Sequence, residues 1–101
     1  MRNFALTRMA LEDLREIAVF TGARWGKAQR NLYLGKLDEA FHALADNPAA
    51  ERSCEEIRAG YRKFPVGSHV IYYRQAEDGL LEIVRILHKS RDVEIAGFPE
   101  P

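Results

Sequence analysis

The residues of this chain that could do chemistry are three histidines, one cysteine and a set of arginines in the C-terminal half. His88 lies close in sequence to Arg91. One reading is therefore a His–Arg pair acting on a phosphodiester. RNA cleavage without a metal needs a base for the 2′-hydroxyl, an acid for the leaving oxygen and cations for the phosphorane charge. The plainer reading has His88 bonding backbone at a strand end, with Arg91 paired to Asp92 or a nearby glutamate. His69 begins a strand and reads as a partly exposed sheet residue; His42, beside Phe41, reads as solvated. No spacing such as H-x₃-H or C-x₂-C gathers the histidines and Cys54 into a metal site. Gly22 and Gly26 match no phosphate-binding fingerprint. The sequence predicts neither metal nor cofactor, and Cys54 reads as a plain loop thiol.

Arg62, Arg74, Arg85 and Arg91 come from neighbouring strands or the tail, so some are expected to share a sheet face. Arg85 stands out because it interrupts the apolar run Ile83-Val84-Arg85-Ile86-Leu87. A guanidinium in such a place needs an acidic or carbonyl partner. That partner is either internal, Glu82 or Glu56, or a carboxylate or surface of another protein. Phe20, Trp25, Tyr33 and Phe41 pose a similar choice. Most are expected in the core, yet a partner groove is built from the same residue types.

The elements that position these residues follow from periodicity. Asn3 to Leu6 reads as a short strand. Thr7 reads as a helix N-cap, its hydroxyl accepting from an orphan N–H of the first turn. Glu12 and Asp13 lie early in that helix, where the macrodipole favours acids. Leu11, Leu14, Ile17 or Ala18, Thr21 and Trp25 recur at steps of three and four, predicting one apolar stripe. Gly22 weakens the helix and Gly26 ends it. A second helix is predicted from about Lys27 to Asp46, with Tyr33 or Leu34, Leu37, Phe41 and Leu44 as its stripe and Asn47-Pro48 as its stop. The near absence of a linker predicts an antiparallel helical hairpin.

Glu55 to Arg58 is ambiguous and reads as possible extended chain. From Tyr61 the period changes to two. Tyr61 to Val66 reads as a strand with Pro65 at an edge or end. His69 to Arg74 and Leu80 to His88 are strong strands joined at Glu77-Asp78-Gly79. The unbroken apolar run in the last marks a central strand. After Ser90 one short helical turn is expected. The order is β-α-α-β-β-β: an α+β domain, residues 1–101, with a helical hairpin on one face of a small antiparallel sheet.

Lys+Arg and Asp+Glu stand at 15 each. That balance argues against a protein built to grip a phosphate backbone, which needs surplus cations. A single cysteine, no apolar run long enough to span a membrane and no signal-type apolar core after Met1-Arg2-Asn3-Phe4 lead to the expectation of a soluble cytoplasmic protein.

The segments Leu6-Thr7 to Ile17, Trp25-Gly26 with Ala28-Gln29, Leu44-Ala45-Asp46-Asn47-Pro48, Glu56-Ile57-Arg58, Gly60-Tyr61-Arg62, Phe64 to Gly67, His69 to Arg74 and Ile83 to Asp92 together resemble the ParE branch of the ParE/RelE toxin superfamily. The resemblance spans nearly the whole chain. It implies a toxin held inactive by a ParD-like antitoxin and, when free, inhibiting DNA gyrase. The related RelE branch cleaves messenger RNA on the ribosome and often carries a tyrosine near its C-terminus. Here no tyrosine follows Tyr73. That departure and the balanced charge favour binding over cutting, with no direct nucleic-acid contact and no catalytic residue. Phe20, Trp25, Tyr33, Arg62, Arg74, Arg85, His88 and Arg91 are then the candidates for contact with antitoxin or target. The alternatives are a ribosome-dependent endoribonuclease using His88, Arg85 and Arg91, or a homologue that binds antitoxin but has lost toxicity.

Overall fold

The computed structural model describes residues 4–47, 55–58, 60–76 and 78–90. The expectations for Pro48, Cys54, Arg91, Asp92 and the tail turn fall outside those residues. The chain begins with strand β1 (Phe4–Leu6), then helices α1 (Arg8–Trp25) and α2 (Lys27–Asp46). Strands β2 (Glu55–Arg58), β3 (Tyr61–Val66), β4 (His69–Gln75) and β5 (Leu81–His88) follow. The expected order is present, and the ambiguous Glu55–Arg58 segment is a further strand.

Local chemistry sets the helix ends. The Ala10 N–H donates to Thr7 Oγ1 at 3.1 Å, so Thr7 caps α1;. Gly26 ends α1 with φ +92° and its N–H donates to Gly22 O at 3.0 Å. The helices turn back on each other within that one residue.

The sheet runs β1-β5-β4-β3-β2. β2, β3, β4 and β5 pair antiparallel in succession, but β1 pairs parallel to β5, from Phe4↔Leu81 to Leu6↔Ile83. The sheet is therefore mixed rather than wholly antiparallel. The two helices between β1 and the later strands form the long crossover that a parallel pair requires. β5 is central, as its apolar run predicts. Pro65 lies two residues past Lys63, the last β3 residue paired with β2 among the described residues, and so sits toward the strand end;.

Leu37, Phe41 and Leu44 of α2 and Ala10 and Ile17 of α1 pack with Ile71, Tyr73, Leu81, Ile83 and Ile86 of the sheet. Each large aliphatic buried in this way contributes roughly 1.5–3 kcal/mol. The α2 stripe is the predicted one. The α1 stripe is turned: Ala10, Asp13, Ile17 and Thr21 face inward, while Leu11 and Trp25 are exposed. Small residues at Ala10 and Thr21 let the helix lie close to the sheet, and that rotation carries the bulkier side chains outward.

A second cluster, Tyr61, Tyr72, Val84 and Leu87, lies on the other face of the sheet. Strict alternation would put Ile83 and Ile86 on opposite faces. A register slip between Tyr72↔Arg85 and Tyr73↔Ile83 makes Val84 an extra residue, a β-bulge, and keeps both isoleucines toward the helices;. No helix among the described residues is long and apolar enough to cross a membrane.

Candidate functional site

Beyond Ile83, β5 has outrun its partner β1 and would leave backbone groups unpaired. The start of α1 covers them. The Thr7 N–H donates to Ile83 O at 3.0 Å and the Thr7 hydroxyl donates to Val84 O at 2.8 Å. Nearly two turns on, Asp13 accepts from the Ile86 N–H at 3.0 Å;.

The same carboxylate receives Arg85. Arg85 Nε donates to Asp13 Oδ2 at 2.8 Å and Nη2 donates to Oδ1 at 3.0 Å, a two-pronged pair;. Asp13 is only 8% exposed. Its hydrogen bonds hold the Arg85 guanidinium charged against the opposing effect of burial;. The expected partners were Glu82 or Glu56; the partner is Asp13, 72 residues away in sequence. Glu82 instead accepts from Arg74 Nε at 2.6 Å. Half of the signal was legible: an arginine inside an apolar strand needed an opposite charge, whereas Asp13 read only as an acid near a helix start.

The arginines do not converge on one face. Arg62 stands opposite Tyr73, on the helix-packed side, while Arg74 stands opposite Tyr61, on the other. Arg85 sits at the β5 edge beside the bulge. Arg91 falls outside the described residues. Among the described residues no group of three or more His, Cys, Asp or Glu could hold a metal.

What the fold does bring together is aromatic. Phe20 and Trp25 are 65% and 62% exposed, against the expectation that most of these residues are core; Phe41 is buried and Tyr33 half-buried. Arg24 lies over the Trp25 ring, 5.2 Å from its centroid. The inward turn of α1 at Thr21 places Phe20 and Trp25 on the rim of a groove of about 600 Å³, with Tyr33, Lys36, His69 and His88 among its other lining residues. A smaller hollow of about 270 Å³ shares Phe20, His69 and His88 and is bounded by Asp13 and Glu16.

The floor of the groove is a hydrogen-bonded set that sequence reasoning missed as a unit. Tyr33 Oη lies 2.6 Å from His69 Nδ1 and accepts from the Ser68 N–H at 3.1 Å. Burial and the neighbouring His88 hold His69 below the ordinary histidine value, Asp13 pulling weakly the other way. Burial likewise pushes Tyr33 up, partly offset by the Ser68 bond. The His69 and His88 rings meet edge to face with centroids 5.5 Å apart. His88 Nδ1 lies 2.8 Å from Ser90 Oγ and accepts from the Ser90 N–H at 3.1 Å. Gly67, at φ +57°, has Tyr33 so close that a Cβ there would stand 2.8 Å from the ring. His42 is exposed and lies 3.5 Å from Asp38.

Residues 4–93 match the family described as the ParE toxin of the type II toxin–antitoxin system parDE. The chain is 42% identical to Toxin ParE1 of Mycobacterium tuberculosis over 92 residues, covering 91% of this chain and 94% of that protein. It is 37% identical to Toxin ParE1 of Caulobacter vibrioides, covering 89% and 92%. In fold it is similar to a chain of the chromosomal ParDE system from P. aeruginosa, with a TM-score of 0.71 at 18% identity, covering 84% of this chain and 95% of that one. A chain of the RelBE2 toxin–antitoxin complex of Mycobacterium tuberculosis gives a TM-score of 0.58 at 21% identity, covering 85% and 95%.

Proposed function

The chain belongs to the ParE toxin family of type II toxin–antitoxin systems, and on that premise we propose that it acts by occupying a protein surface, inhibiting DNA gyrase in the cytoplasm. A ParD-like antitoxin neutralises it by laying its C-terminal segment across the helical hairpin and along the sheet, in the groove bordered by Phe20 and Trp25.

The observation that carries this reading is how the cations and aromatics are used. Arg85, one of the two guanidinium groups on which the cleavage reading relies, is committed to Asp13, and Arg74 is committed to Glu82. Phe20 and Trp25, the bulky side chains a soluble domain would normally bury, stand open beside a groove;. That arrangement suits contact with protein, where buried aromatics anchor an interface. The test is a gyrase supercoiling assay run beside an assay for cleavage of ribosome-bound mRNA. Loss of supercoiling, relieved by the antitoxin encoded beside the toxin, is expected. Cleaved mRNA with unaffected gyrase refutes the proposal.

The meeting of His69, His88 and Tyr33 in one groove supports a second reading, acid–base cleavage of RNA. A His88→Ala change that removes toxicity while fold and antitoxin binding persist would favour it. A homologue without toxicity is told apart from both by normal growth when the chain is expressed alone.

A further inference from the structure

His69 and His88 are registered partners on β4 and β5, and both line the groove. On each ring one nitrogen is engaged by the fold. The Ser90 N–H donates to His88 Nδ1, so that atom carries a lone pair and the proton of the neutral ring sits on Nε2. Tyr33 Oη accepts from the Ser68 N–H and its own hydrogen has His69 Nδ1 as the nearest acceptor, 2.6 Å away against 3.4 Å for Val66 O. The His69 proton is thereby directed to Nε2 as well. A protonated Nε2 does not ligate a metal; it seeks an acceptor.

The surroundings define that acceptor. Phe20 and Trp25 from α1 and Lys36 from α2 line the same groove as the pair. Ile17 and Leu87 line the adjoining hollow, which Asp13 and Glu16 close. Asp13 is already neutralised by Arg85; Glu16 is exposed. One carboxylate carried on an apolar segment fits these walls. A nucleic-acid strand has bases that stack on aromatic rings, but it brings a charge with each nucleotide toward Glu16 and so fits less well than a single carboxylate.

We infer that His69 and His88 form a carboxylate-recognition site, and that the protein segment occupying the groove sets an acidic side chain against their Nε2 atoms, between apolar residues seated at Phe20 and Trp25. This rests on reading the groove as a protein-binding surface.

The site makes binding depend on pH. Among the described residues, the groups facing the pair are Tyr33 and Lys36 from α2, Asp13 and Glu16 from α1, and Ser68 and Ser90 from the adjoining turns. In the free protein, burial and His88 keep His69 below the ordinary histidine value. An incoming carboxylate favours the charged ring. Binding therefore takes up a proton, and affinity rises as pH falls through the histidine range.

Peptides selected from a displayed random library on the full chain supply the probe. Trp25, the chain's one tryptophan, reports by fluorescence which of them enter the groove. Groove-seated peptides are expected to carry a glutamate or aspartate flanked by apolar residues. Changing that glutamate to glutamine should weaken binding about tenfold near pH ~6, the strength of a charge-assisted hydrogen bond, and less near pH ~8. His88→Ala, at an exposed position, should shrink the difference between the two peptides, and His69→Gln with His88→Ala should erase it. His88→Gln, which keeps a neutral N–H donor, should retain binding. Equal affinity of the glutamate and glutamine peptides for the native chain overturns the carboxylate site and leaves the groove reading intact. No peptide that perturbs Trp25 removes both. An oligouridylate that shifts the His69 and His88 ring resonances where the peptides do not would overturn the inference in favour of RNA.

Discussion

Removing the carboxylate of Asp13 should be among the most damaging single changes this fold can receive. Asp13→Ala deletes three hydrogen bonds at 2.8–3.0 Å, two from Arg85 and one from the Ile86 N–H. The side chains are 9% and 16% exposed, so water cannot readily replace the lost partner. Breaking a buried pair from one side costs about 3–5 kcal/mol, because the remaining charge stays desolvated. A domain of this length has a total stability of about 5–15 kcal/mol, so the loss is a large fraction of the whole. Urea denaturation should show the midpoint falling with little change in slope, and thermal melting should drop by at least about 10 °C. Replacing both residues, Asp13→Leu with Arg85→Met, removes the stranded charge and leaves chiefly the Ile86 N–H unpaired, about 1–3 kcal/mol. The double variant should therefore be more stable than Asp13→Ala. An Asp13→Ala variant within about 1 kcal/mol of the native chain, or single costs that simply add in the double, would refute the reasoning.

Gly67→Ala should destabilise by about 1–3 kcal/mol, since the position combines φ +57° with a Tyr33 ring 2.8 Å from the new Cβ;; pairing it with Tyr33→Ala should recover part of the loss in the same unfolding assay. Stability should also fall as pH drops below 6.5, the ordinary value from which burial lowers His69: the unfolded state takes up its proton first, so the contribution is whole above that value and lost on the way down to the folded-state value. Melting curves of His69→Gln should lack that component. Trp25→Ala should change unfolding by less than about 0.5 kcal/mol, because the ring is mostly exposed, yet weaken antitoxin binding in calorimetry by about 2 kcal/mol.

Much of the fold was readable because its causes are local. Thr7 caps α1 through a bond to Ala10 three residues away. Leu37, Phe41 and Leu44 recur at helical spacing, and the β-branched and aromatic runs from Tyr61 onward mark strands. The rotation of α1 was not readable in the same way. Ile17 and Thr21 of the expected stripe do face the sheet and Leu14 packs at its margin, but Ala10 and Asp13 take the inward places while Leu11 and Trp25 stand exposed. The floor of the groove was missed for a related reason. His69 was read alone, whereas Tyr33, the residue that sets its tautomer, lies 36 positions earlier.

The sequence by itself determined the elements, their order and the family, because capping, periodicity and motif spacing act over a few residues at a time. Only the tertiary structure decided which charges cancel and which aromatics stay open. Arg85 meets Asp13 because β5 outruns β1 and a bulge at Val84 leaves its side chain at that edge. His69 meets His88 because two strands pair in one register. Those pairings depend on distances between segments far apart in the chain, which residue types alone do not encode.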